Sequence, residues 1–232
     1  MSCASTRAPT RPGSSRRPST TGTEGGCVGD SLAVTHPLAA PLAGPPELAG
    51  PDSAAVVLTA EPPLVLLDLR CRDRAALDGF LKKPLGLASP PVARAVSNPR
   101  GVLFRLGPDW WQLRCRDRKL AVRLLKAGAA GPVGATDISD AWLAVGVAGP
   151  RARDVLAKAA TVDLHPDAFP AGSAARTLFG RVTVVVARLA DDEPPAFDVT
   201  VSRSNARFLW RWLADAAREY GYTLKPFSGG GA

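Results

Sequence analysis

The same order of elements can be read twice along this chain: strand, helix, strand, strand, helix. A repeat at that level constrains the fold more than any single motif, because each copy leaves a sheet face that its own helices must cover. In the first copy, residues 64–69 (LVLLDL) form a short apolar run set off by Pro62 and Pro63, a buried strand by length and neighbours. Asp73 stands where a helix N-cap belongs. Ala76, Leu77, Phe80 and Leu81 then share one face, before Pro84 and Gly86 end the helix. Residues 102–106 and 110–115 make a hairpin around Gly107-Pro108-Asp109. Asp117 caps a second helix, RKLAVRLLKAG, with Leu120, Leu124 and Ala127 inward and Gly128 and Gly131-Pro132 as its stop. The second copy runs through a strand at 141–147 and a helix, RARDVLAKA, entered by Gly149-Pro150. After an irregular stretch, VDLHPDAFPAGSAAR, come strands at 181–189 and 196–202 and a last helix, ARFLWRWLADAAREYG, capped by Ser204 or Asn205. The expected fold is α+β: one domain over 51–232, made of two pseudo-repeated halves at 54–134 and 135–227.

A shorter repeat is also present. LRCRDR occurs at 69–74 and again at 113–118. The two copies fall at different places in the larger repeat, one after its first strand and one after its third. Each is a strand tail running into an aspartate-capped helix, which predicts cysteines turned inward and arginines alternating outward. A zinc site needs four clustered ligands. This chain has no CxxC, and its two histidines, His36 and His165, each precede a proline far apart in sequence. The four cysteines therefore read as free thiols.

Residues 1–50 are expected to be a disordered or extended tail. The first thirty are mostly Ser, Thr, Arg, Pro and Gly, too poor in apolar groups to offset the entropy of ordering, and prolines deny the next twenty a long helix. The net charge of +8 rests on 23 Arg and 6 Lys against 21 acids. It favours anionic partners and is silent on fold. No apolar run approaches the roughly 18–20 residues that span a bilayer, and no apolar stretch follows the basic N-terminus as in a secretory signal. A cytoplasmic protein without a membrane partner is the expectation.

Chemistry is sparse. No GxSxG, phosphate-binding loop, GxGxxG or HExxH is present. His165 reads as a loop residue capping backbone groups, and Asp191-Asp192-Glu193 as a solvated hairpin tip. No catalytic, cofactor-binding or metal site is expected in this chain. Its aromatic residues point elsewhere. In the last helix Ala206, Leu209, Trp210, Leu213, Ala217 and Tyr220 form one face, and Phe208 and Trp212 a second stripe. Trp110 and Trp111, adjacent in a strand, face opposite ways. The cover they need is either another layer of this chain or a partner protein. In the second case Trp110, Trp111, Phe208 and Trp212 are partner-interface residues.

Residues 136–221 resemble the gamma subunit family of heterotetrameric sarcosine oxidase. The likeness is carried by AWLAVGVAGPRARDVLAK, DLHPDAFPAGSAARTLFG and the Arg203-Ser204 pair before the LWRWL helix. It is weaker over 64–131 and absent over the first 50 residues. The family is related to the folate-binding T-protein of the glycine cleavage system, so the resemblance implies a T-protein-like fold. It implies a cytoplasmic complex with alpha, beta and delta subunits that oxidises sarcosine to glycine and passes a one-carbon unit to tetrahydrofolate. FAD, FMN, NAD and the folate site would belong to the other subunits, this chain being a non-catalytic assembly partner. Asp198 falls where T-protein relatives carry a carboxylate. Their glycine-rich loop, however, is replaced here by DDEPPA, which argues against folate binding by this chain. Two alternatives stay open: a stand-alone folate-binding aminomethyltransferase and a basic nucleic-acid binder.

Overall fold

The computed structural model describes residues 37–38, 55–62 and 64–225. The tail expected at 1–50 lies outside these residues except for Pro37 and Leu38. Leu38 has no exposed surface and belongs to the core of the C-terminal half.

Eleven strands are found among the described residues, all in one sheet. In the first part of the chain they are β1 (Val56–Ala60), β2 (Val65–Arg70), β3 (Arg94–Asn98), β4 (Gly101–Gly107), β5 (Trp110–Cys115) and β6 (Gly134–Asp137). The second part adds β7 (Trp142–Ala148), β8 (Ser173–Phe179), β9 (Val182–Arg188), β10 (Ala196–Ser202) and β11 (Tyr222–Lys225). Four α-helices accompany them: α1 (Arg74–Leu85), α2 (Arg118–Gly128), α3 (Ala152–Ala157) and α4 (Ala206–Ala217). The sheet order is β11-β1-β7-β10-β9-β8-β3-β4-β5-β2-β6.

That order contains the repeat. The meander β3-β4-β5 is followed by β2, the meander β8-β9-β10 by β7, and the halves meet where β3 pairs with β8 at Arg94 and Ser173. The repeating unit is therefore strand, helix, three strands, helix. Within that unit the two strands the sequence does not announce, β3 and β8, are the ones that join the halves; β1, β6 and β11, outside it, are unannounced as well. RAVSN has no buried residue, and SAARTLF opens on small side chains inside the stretch that reads as irregular. The ends are exchanged as well. β1 pairs with β7 and β11 of the second half, while β6 pairs back onto β2, so a division at 134/135 runs through β6.

The helices follow their caps. The Asp73 carboxylate accepts from the Ala75 amide at 2.8 Å, and Gly86 closes α1 in the left-handed region at φ 69°. Asp117 accepts from the Lys119 and Leu120 amides. In α2, Leu120, Ala121, Leu124 and Gly128 face inward and Ala127 is exposed, against the expected face. Gly128 is required by the approach of β6, since a Cβ there would lie 2.8 Å from that of Ala135. Asn205 sits at the N-cap of α4 without capping it; its amide donates to the Ser202 hydroxyl at 2.9 Å.

One face of the sheet carries two cores. α1 and α2 cover Leu67, Leu69, Trp111 and Leu113, and α3 and α4 cover Val145, Val186, Val199 and Val201. Each fully buried side chain of this size stabilises by about 1.5–3 kcal/mol. On the opposite face Phe104 of β4 packs against Ala174 of β8 and Ala187 of β9, so the two half-sheets turn toward each other there.

Candidate functional site: the seam between the half-sheets

Strand alternation decides what enters the seam. On β5, Trp111, Leu113 and Cys115 point into the α1/α2 core, leaving Trp110, Gln112 and Arg114 for the other face. On β10, Phe197, Val199 and Val201 point into the α3/α4 core, leaving Asp198 and Thr200. Arg114 Nη1 donates to Asp198 Oδ2 at 2.6 Å, with only 8% and 14% of the two side chains exposed. The Thr200 hydroxyl donates to the other oxygen, Oδ1, at 3.1 Å, and the Arg114 guanidinium lies 5.3 Å from the Phe104 ring centre. The pair thus ties together residues 84 positions apart, one from each half.

Glu61, just past β1, joins this cluster. Its carboxylate passes over Gly146, where a Cβ would come within 3.2 Å of Glu61 Oε1. Burial pushes the Glu61 carboxyl above its ordinary value and the negative charge of Asp198 adds to the rise, while Arg114 and Arg116 oppose it. Beside the cluster a pocket of about 190 Å³ is lined by Glu61, Asn98, Arg100, Arg114 and Arg116, among others. A second link crosses the seam. The Trp110 indole N–H donates to Asp68, and Arg70 and Arg176 place their guanidinium carbons 4.3 and 5.2 Å from its ring centre. Arg176 comes from β8, so this stack also joins the halves.

The four expected interface residues separate. Trp111 is 1% exposed and its indole N–H donates to the Ser89 hydroxyl at 2.9 Å within the chain's own core, so it offers a partner no surface. Trp110 is half-buried and held by Asp68, Arg70 and Arg176. Trp212 is half-buried, edge-on to Phe179 at 4.6 Å. Phe208 is 44% exposed.

Other expectations change too. Arg70, Arg72 and Arg74 of the first LRCRDR are exposed, but Arg114 of the second is buried, because the far face of β5 meets the other half-sheet instead of solvent. Both cysteines are free and buried, and burial raises the Cys115 thiol. The acidic tip is not simply solvated: Asp191 and Glu193 lie 2.7 and 3.8 Å from the buried Arg188 guanidinium. His165 does act locally, accepting from the Asp167 amide at 3.3 Å. Among the described residues no group of three or more His, Cys, Asp or Glu is placed to hold a metal ion, and no helix is long and apolar enough to cross a membrane.

The Asp198 carboxylate is taken on both oxygens by Arg114 and Thr200, and the adjoining space of about 190 Å³ is below the ~300 Å³ at which sites for organic ligands begin.

Comparison with known proteins agrees with the geometry of the fold. The family model of the GCVT N-terminal domain matches residues 101–227. An aminomethyltransferase of Saccharopolyspora erythraea is 28% identical over 128 residues, 54% of this chain and 34% of that protein. The heterotetrameric sarcosine oxidase from Corynebacterium sp. U-96, solved with pyrrole 2-carboxylate, has a chain that superposes with a TM-score of 0.72 at 24% identity. The match covers 80% of this chain and 95% of that one. Glycine cleavage system aminomethyltransferase T from Bartonella henselae superposes at 0.55 with 16% identity, over 75% of this chain and 48% of that one. The chain spans about a third of the length of the curated relative and about half of the Bartonella protein.

Proposed function

The chain belongs to the GCVT N-terminal domain family, and from that premise we propose that it is the gamma subunit of a heterotetrameric sarcosine oxidase. In this role it is a non-catalytic assembly subunit. The alpha, beta and delta subunits carry FAD, FMN, NAD and tetrahydrofolate and perform the oxidative demethylation of sarcosine to glycine. The observation that carries the reading is the closed seam. A family member that binds a ligand between its half-sheets needs an open, polar space there; here Arg114, Asp198, Thr200 and the Trp110 stack occupy it. The match in length supports the same role, since the sarcosine oxidase chain is covered almost end to end.

A second reading, a folate-binding aminomethyltransferase, is favoured by the 28% identity to the Saccharopolyspora protein. Titrating the isolated chain with tetrahydrofolate while following tryptophan fluorescence separates the two. The assembly role predicts no saturable change up to millimolar ligand. Saturable binding that Asp198→Ala abolishes would transfer the assignment to the aminomethyltransferase.

A further inference from the structure

α4 buries Ala206, Leu209, Trp210 and Leu213 and leaves Arg207, Phe208, Arg211 and Trp212 lining an open groove of about 590 Å³. Its aromatic floor is partly preset. Trp212 is braced edge-on by Phe179, and the tip of Phe208 lies 4.0 Å from the place a Cβ on Gly180 would take, in the turn between β8 and β9. Large aromatics beside arginine, held partly open to water, are the composition of interface hot spots.

The charges around that floor are one-sided. Arg207 and Arg211 lie one turn apart on the same helix, where like charges repel. Neither has an ion-pair partner among the described residues. Nearby cations do: Arg218 faces Asp215, Arg151 faces Asp154, and Lys158 faces Glu219. Asp215, the one acid in α4, is therefore already engaged. Arg181, exposed in the turn that adjoins Phe208, adds a further positive charge.

We propose that this groove docks an acidic segment of a partner subunit. Carboxylates of that segment pair with Arg207 and Arg211, and its apolar side chains lie between Phe208 and Trp212. Guanidinium groups suit the task because their planar fork matches a carboxylate with two parallel hydrogen bonds. The proposal rests on the assembly role above and names the chemistry of the contact.

The test uses the full chain, tagged and isolated with its partners from its own cells. R207E/R211E is expected to weaken association at least tenfold, and rising salt to weaken the unchanged complex. R123E, a charge reversal on exposed α2 surface, should leave both unaltered. Unchanged circular dichroism and Tm of R207E/R211E would show that the fold is intact. In a second experiment R211K places an amine in the groove, and carbodiimide coupling joins it to whatever carboxylate it meets. The expected product is an amide to an Asp or Glu peptide of a flavin-bearing subunit. Full association of R207E/R211E, with the amide formed elsewhere, overturns the docking proposal and leaves the assembly role standing. An amide to this chain's own acids assigns the groove to a second copy, and retention lost on nuclease treatment assigns it to nucleic acid; either overturns the proposal. Absence of any flavin-bearing partner removes the assembly role itself.

Discussion

Arg114 carries a full charge to a place where 8% of its side chain meets water, and one carboxylate 2.6 Å away makes that tolerable. Removing one member of such a buried pair leaves the other uncompensated, at a cost of about 3 kcal/mol or more. Arg114→Ala should therefore lower the urea-unfolding free energy by about 3 kcal/mol, whereas Arg114→Met with Asp198→Leu should recover most of the loss. Equal stability of Arg114→Ala and the unchanged chain would show that the pair is dispensable. Glu61 acts with the opposite sign. Its folded-state carboxyl titrates above the ordinary 4.5, so the folded state holds its proton to higher pH than the unfolded state. Stability then falls as pH rises through that interval, and charged Glu61 is a penalty at neutral pH. Glu61→Gln should be more stable than the unchanged chain at pH 7, with the gap closing below the ordinary value; a gap that widens toward acid pH contradicts this. None of this was legible locally. LRCRDR is identical at both occurrences, and what separates exposed Arg70 from buried Arg114 is Asp198, on a strand distant in sequence.

At the scale of elements, legibility followed side-chain signals. The two helices with an aspartate at the N-cap are found where the sequence places them, because a carboxylate before an apolar-periodic run specifies the first turn. Asp117→Ala and Asp73→Ala should each cost about 1 kcal/mol. Asp117 should cost the more, since it accepts from two amides and Asp73 from one. The reverse order in thermal unfolding would argue against the caps. β3 and β8 escaped because their neighbours define them. RAVSN is half-exposed along most of its length, and it is a strand because β4 folds back on it through Asn98 and Gly101. β8 begins on Ser-Ala-Ala and is recognised only through its seven-residue pairing with β9. The α4 groove was legible in part: the Phe208–Trp212 stripe is plain in the sequence, whereas alternation along β5 could not say which of Trp110 and Trp111 the chain's own core covers, and Trp111 is the one.

For the whole molecule, two pseudo-repeated half-sheets meet along a seam that the chain fills with its own charges, leaving an aromatic, basic helix face outside. That division of surfaces is the physical content of the proposed assembly role: the polar groups of the seam, Arg114, Asp198 and Thr200, are paired with one another, and the exterior has a groove whose Arg207 and Arg211 have no ion-pair partner among the described residues. The measurement that tests the claim most directly is isolation of this chain, tagged at its C-terminus, from its own cells, with the eluate examined for flavin absorbance, subunit number and sarcosine-dependent peroxide formation. The account predicts a yellow eluate of four different subunits that consumes sarcosine. A colourless eluate containing this chain alone would contradict it.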